Sequence, residues 1–168
     1  MTTALAPVRT QRLALDTPIG RLVLEATDTH LTRLLLPNAA QTAPPAPTRI
    51  DDLAGPIAIA AAQLTEYFAG TRTSFDIPLA LHGTPFQNDV WRVLGEIPYA
   101  ETITYGELAQ LVGRPRASRA VGQANGANPI PIVVPCHRVL ASGQRIGGYG
   151  GGLETKQQLL TLEGVLLA

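Results

Sequence analysis

The stretch "TYGELAQLVGRPRASRAVGQANGA", residues 104–127, decides the architecture of the second half of the chain. Thr104 and Glu107 have the Thr-x-x-Glu spacing of a capping box, in which a hydroxyl and a carboxylate each satisfy an unpaired backbone N–H at a helix start. The helix runs through Val112, where Gly113 can end it. After the turn "GRPRA" a second helix is expected at about Ala117 to Asn125. Helix, tight turn, helix is the layout of a helix-turn-helix, a unit used for nucleic-acid binding and also for plain packing. Composition favours the first use. The second helix is poor in large side chains and carries one charge, Arg119, so its backbone can lie close in a groove and push that arginine inward.

Working outward, Thr84 and Pro85 mark an N-cap and first helical position, followed by Phe86, Val90, Val93 and Ile97 on one stripe until Pro98. At the far end "GLETKQQLLTLEG", 152–164, reads as a helix with Leu153 and Leu160 on one stripe, which continues to Glu163. A carboxylate on an inward face needs a partner. Towards the start, "RLALDTPIGRLVLEATDTHLTRLLLP", 12–37, alternates apolar and polar residues between turn formers, which predicts a three-strand antiparallel meander. "PNAAQTAPPAPT", 37–48, reads as a loose surface loop. Leu53 to Phe68 has helical apolar spacing, with Gly70 placed to stop it. The expectation is an α+β chain: an N-terminal α+β domain over 1–82, and a mainly helical domain over 83–168.

The chain has 168 residues, 13 basic and 13 acidic side chains, and one cysteine. No apolar run approaches the ~20 residues that span a bilayer, and the N-terminus lacks the pattern of a secretory signal, so the expected location is the cytoplasm, with no membrane partner. One cysteine and three scattered histidines, His30, His82 and His137, do not make a metal site. Charge is balanced overall but uneven. From Leu108 to Leu153 there is no acid, while Arg114, Arg116, Arg119, Arg138 and Arg145 fall in the same window, a positive surface if they converge on one face.

The lone cysteine sits in "IVVPCHRVL", 132–140. A free thiol is mostly protonated at neutral pH unless a base or a positive field acts on it. Neighbours in a strand point to opposite faces, so Cys136 and His137 can share a site only where the backbone turns. The prolines of "NPIPIVVPCHRV" permit this, with Ile132 to Val134 expected as a short buried strand and Pro135 bending its exit. A relay is then available in which Glu163 orients His137 and His137 takes the thiol proton, directly or through water. A buried, inert cysteine is the alternative.

"IPIVVPCHRVLASGQRIGGYGGGLETKQQLLTLEG" together with "ITYGELAQLVGRPRASRAVGQANGANP" closely resembles the O6-alkylguanine-DNA alkyltransferases, from about Gly83 to Gly164. The N-terminal half resembles the ribonuclease-H-like domain of that family in general form. The resemblance implies a single-turnover repair protein that flips O6-alkylguanine, and by extension O4-alkylthymine, out of double-stranded DNA through the minor groove. It implies no cofactor, and a monomer able to cluster on DNA. By resemblance, Cys136 accepts the alkyl group, His137 is its base through a bridging water, Glu163 orients the histidine, and Asn128 braces the active-site turn. Tyr105 helps rotate the nucleotide, and Arg119 fills the gap left behind. Ala117, Ser118, Ala120, Gln123, Ala124, Asn125 and Gly126 would face DNA beside Arg119. Tyr149, Gly150, Val139, Val134 and Pro131 would form the base pocket, with the Val139 backbone near the purine amino group. Two departures stand out: no N-terminal cysteine for the structural zinc of some members, and Gly150 where some relatives have serine.

Two other readings compete. A non-catalytic module that recognises alkylated DNA resembles this chain but lacks the acceptor cysteine. A cysteine hydrolase built on Cys136, His137 and Glu163 would need an oxyanion hole and leaves Arg119, Tyr105 and the helix-turn-helix without a role.

Overall fold

The computed structural model describes residues 8–43 and 53–165. The reading of the N-terminus as lacking a signal, and most of the Pro-rich part of 37–48, lie outside them. Strands β1 (Gln11–Thr17), β2 (Gly20–Ala26) and β3 (Leu31–Leu35) form an antiparallel meander in sequential order. Gly20, at φ 113°, closes the first hairpin in a conformation that favours glycine. A register shift at Glu25/Ala26 bends β2 before the second turn. Helix α2 (Pro56–Phe68) packs against all three strands, through a buried stripe that includes Ile57, Ala60, Leu64 and Tyr67.

The 37–48 stretch was expected to be loose throughout, yet its first residues form a one-turn helix, α1 (Pro37–Ala40), packed against β2 and β3. Proline costs nothing at a first helical position, where its missing N–H has no partner to lose.

Helix α3 (Pro85–Gly95) starts at the capping box of Thr84 and Gln87, and α4 (Tyr105–Leu111) at that of Thr104 and Glu107. Gly113 takes φ 74° after α4, the turn follows, and α5 covers Ser118–Gly126. Strands β4 (Ile103–Thr104) and β5 (Val139–Leu140) pair in parallel, and α6 (Leu153–Leu162) comes last.

One buried apolar cluster runs from Leu13 to Leu159 through both halves. Polar links reinforce it: the Leu34 N–H donates to the Pro129 carbonyl at 2.9 Å, joining β3 to the segment after α5. Within this core Trp91 of α3 donates its indole N–H to the Ala124 carbonyl at 2.8 Å, which anchors α5. Its ring lies directly beneath Gly83. A Cβ there would come within 2.5 Å of two ring carbons. Gly83→Ala is therefore expected to destabilise the protein by about 1–3 kcal/mol through overpacking, measured as a lower urea midpoint with an unchanged slope.

Helix α6 departs from the expected stripe. Leu153 is 52 % exposed, and the buried face is Thr155, Lys156, Leu159 and Leu160. The inward row starts at Lys156 and reaches Glu163 by seven-residue spacing, which puts a lysine where apolar counting placed only leucines. Glu163 is at the C-cap and only 3 % exposed. Among the described residues, no helix is long and apolar enough to cross a membrane.

Candidate active site

The expected strand at Ile132–Val134 is instead a tight turn. Ile132 is held at φ 74°, a region costly for a β-branched residue. Asn128 stabilises that conformation: its amide nitrogen donates to the Val134 carbonyl at 2.7 Å, and its oxygen accepts from the Ile130 N–H at 3.0 Å. The Val134 N–H closes the turn on the Ile130 carbonyl at 2.9 Å. Pro135 follows, and Cys136–Arg138 make a single 3-10 turn. That turn keeps Cys136 and His137 inside one core, as an extended dipeptide could not.

His137 Nε2 lies 2.7 Å from Glu163 Oε1. The same carboxylate accepts the Tyr67 hydroxyl at 2.7 Å and two bonds from Arg138, Nε to Oε2 at 2.9 Å and Nη2 to Oε1 at 3.0 Å. Arg138 also donates Nη1 to the Ile97 carbonyl at 2.6 Å, and the Ala100 N–H reaches Glu163 Oε2 at 3.3 Å. Burial alone would raise the Glu163 pKa, but the hydrogen bonds from His137 and Arg138 outweigh it and lower it to about 2. Burial lowers the His137 pKa, only partly opposed by Glu163. The imidazole is thus neutral near neutral pH. Its Nε2–H donates to the carboxylate, which leaves Nδ1, buried and without a protein partner among the described residues, as the basic nitrogen.

Cys136, 4 % exposed, lines a cavity of about 200 Å³ together with Tyr105, Asn128, Pro131, Tyr149 and Gly150. Burial pushes its thiol pKa up, while Asn128, Tyr149 and Lys156 pull it down. The Tyr149 hydroxyl is buried beside the thiol with no well-formed hydrogen bond among the described residues. Tyr105, half-buried, points its hydroxyl at the Gly148 carbonyl, 3.4 Å away.

Several residues lie elsewhere than the sequence reading put them. Val134 and Val139 are buried and are not among the residues that line the cavity, and the Val139 carbonyl accepts from Lys156 Nζ at 2.6 Å. On α5, Ser118, Arg119, Ala120, Gln123 and Gly126 are exposed and Ala117 is half-buried. Ala124 and Asn125 face inward instead: Ala124 holds the Trp91 indole, and the Asn125 amide reaches the Cys136 carbonyl at 3.4 Å. Arg138 leaves the expected positive surface because its charge is spent on Glu163, whereas Arg114, Arg116, Arg119 and Arg145 are exposed.

Several contributors have no role at the site in the sequence reading. Tyr67 and Arg138 complete the carboxylate's shell, Leu36 lines the cavity, and Asn38 of α1 donates to the Gly150 carbonyl at 2.7 Å. The spacing of Lys156, Leu160 and Glu163 was the available signal for the inward face of α6. Nothing local marked Asn38.

Residues 85–165 match the family model described as 6-O-methylguanine DNA methyltransferase, DNA binding domain, and residues 12–81 match the ribonuclease-like domain of the same proteins. The chain belongs to the 6-O-methylguanine DNA methyltransferase family. The methylated-DNA–protein-cysteine methyltransferase of Mycolicibacterium paratuberculosis is 52 % identical over 148 residues, covering 88 % of each chain. The crystal structure of Mycobacterium tuberculosis O6-methylguanine methyltransferase superposes with a TM-score of 0.78 at 44 % identity, covering 92 % of this chain and 93 % of that one. A second structure of that relative, OGT in complex with DNA, gives a TM-score of 0.75 at 42 % identity over 92 % and 91 %. The α+β architecture expected from the sequence is that of this methyltransferase family.

Proposed function

We propose that the chain is a single-turnover DNA repair protein that removes the alkyl group from O6-alkylguanine in double-stranded DNA, and from O4-alkylthymine by the same displacement. Residues 83–168 are the catalytic and DNA-binding unit and 1–82 the unit that supports it, working as a monomer in the cytoplasm. The carrying observation is a buried thiol on the wall of a cavity, backed by a neutral histidine that a locked carboxylate orients.

An alkylated O6 lies within the stacked duplex, so the nucleotide must leave the stack to bring its alkyl carbon to Cys136. The exposed face of α5, small apart from Arg119 and Gln123, suits insertion in the minor groove, and Arg119 occupies the space the base vacates. His137 Nδ1 accepts the thiol proton through a bridging water. The thiolate then attacks the alkyl carbon. An S–C bond forms as the C–O6 bond breaks, the electron pair passes to the purine, which accepts a hydrogen bond from Tyr105, and a proton from solvent restores guanine while His137 releases the thiol proton to solvent. The thioether product cannot revert by acid or base chemistry available in a protein, so one chain repairs one lesion.

The test is intact mass after incubation with a duplex carrying O6-methylguanine. A stoichiometric gain of one methylene, absent in Cys136→Ser, is expected. Binding without mass gain would favour the recognition module, and neither binding nor gain would remove both readings.

A further inference from the structure

Lys156 of α6 is fully buried, yet among the described residues no carboxylate pairs with it. Its partners are carbonyl oxygens: Val139 at 2.6 Å, Gly148 at 3.4 Å and Gly147 at 3.5 Å. An ammonium has three N–H donors, and three carbonyls saturate them. They aim the amine without neutralising it. Burying a cation this way is unfavourable where an apolar side chain would fill the same space, so the charge needs a use.

The place of those carbonyls indicates the use. Val139 is three residues beyond Cys136, and Gly148 lines the cysteine cavity beside Tyr149. Lys156 therefore bridges the turn that carries the thiol and the loop that walls the cavity. The other groups around the sulfur, Asn128, Tyr105 and Tyr149, are uncharged near neutral pH, His137 is neutral, and Arg138 is already paired with Glu163.

We propose that Lys156 is a positioning residue that supplies the counter-charge for the Cys136 thiolate, aimed by the carbonyls of Val139, Gly147 and Gly148. This rests on the reading of Cys136 as the nucleophile. The lysine stays protonated throughout: the thiol proton goes to His137, and Lys156 lowers the energy of the anion left behind. Burial brings the Lys156 pKa down to about 8, against an upward pull from Cys136, so the charge is present near neutral pH. The same field also disfavours a charged His137, which keeps the imidazole available as a base.

The experiment follows thiolate ultraviolet absorbance against pH in the full chain, with Cys136→Ser as blank, for wild type, Lys156→Met, Lys156→Gln and Lys156→Arg. Methyl transfer from an O6-methylguanine duplex is measured in parallel. In Lys156→Met and Lys156→Gln the midpoint is expected to rise by about one pH unit, roughly a tenfold loss of thiolate at a given pH, with a matching loss of transfer rate. Lys156→Arg, which keeps the charge, is expected to stay close to wild type. Gln retains donors for the same carbonyls, so Lys156→Gln gives the answer if the Met variant does not fold. An unmoved midpoint in Lys156→Gln overturns the proposal, whatever happens to the rate. Wild-type protein that transfers no methyl group would sink the repair reading instead, and the titration would still judge Lys156 by itself.

Discussion

Replacing Glu163 by alanine is expected to cost about 3–5 kcal/mol of folding stability and to abolish alkyl transfer. The carboxylate is the common acceptor for His137, Arg138 and Tyr67. Its removal leaves a guanidinium at 6 % exposure with one carbonyl partner, and an imidazole free to change tautomer. Thermal melting should show a drop of roughly 6–15 °C. A double variant with Arg138→Leu should lose less than the sum of the two single variants, because the second change removes the stranded charge. A cost below about 1 kcal/mol would mean that the network holds little of the fold.

The acid limb of stability gives a second reading of the same network. Glu163 has a folded pKa of about 2 against an ordinary 4.5, so its contribution is complete above 4.5 and is lost as pH falls towards 2. His137 acts earlier and in the same sense: burial depresses its pKa below the ordinary 6.5, so its share begins to fade as pH drops below that value. Glu163→Ala should therefore melt with a flatter pH dependence than wild type on the acid side. Parallel curves would contradict this assignment.

Replacing Arg119 by alanine is expected to slow repair of duplex O6-methylguanine on the order of tenfold to a hundredfold while leaving reaction with the free alkylated base unchanged. Extruding a nucleotide costs a few kcal/mol of stacking and pairing, and a side chain that fills the gap recovers part of it. Arg119 is exposed on α5, flanked by small residues that keep the backbone close to whatever it meets. Its neighbours in the turn, Arg114 and Arg116, are suited to phosphate contacts, so their alanine variants should weaken binding uniformly and each reduce the salt slope by about one. An equal loss on duplex and free base would show that Arg119 acts on the cavity and not on extrusion.

What could be read in the sequence was the part governed by short spacing. The Thr84 N-cap, the Thr104–Glu107 capping box, the Gly113 stop and the meander each depend on residues within a few positions of one another, and all appear where expected. Cys136, His137 and Glu163 could be grouped because the motif and the inward row of α6 mark them. Their completion could not. Tyr67 meets Glu163 across 96 residues, and Asn38 meets Gly150 across 112. Arg138 falls in the acid-free window whose arginines would make a positive surface if they converged on one face, whereas it pairs with the carboxylate of its own site. Ala124 and Asn125 share a helix with Arg119 but face the opposite way, a distinction that a helix of small residues does not announce.

The distances along the chain between members of the carboxylate cluster have a kinetic consequence. Tyr67 lies 96 residues from the Glu163 it meets, Ile97 lies 41 from the Arg138 that donates to it, and His137 and Arg138 lie 26 and 25 from Glu163, so no local fragment can assemble the cluster. Loops of that size close late, after the hairpins and single helices have formed. Recovery of alkyl transfer during refolding should therefore track the slowest structural phase, with no activity in the early helical signal. In this protein the chemistry reports on completed folding.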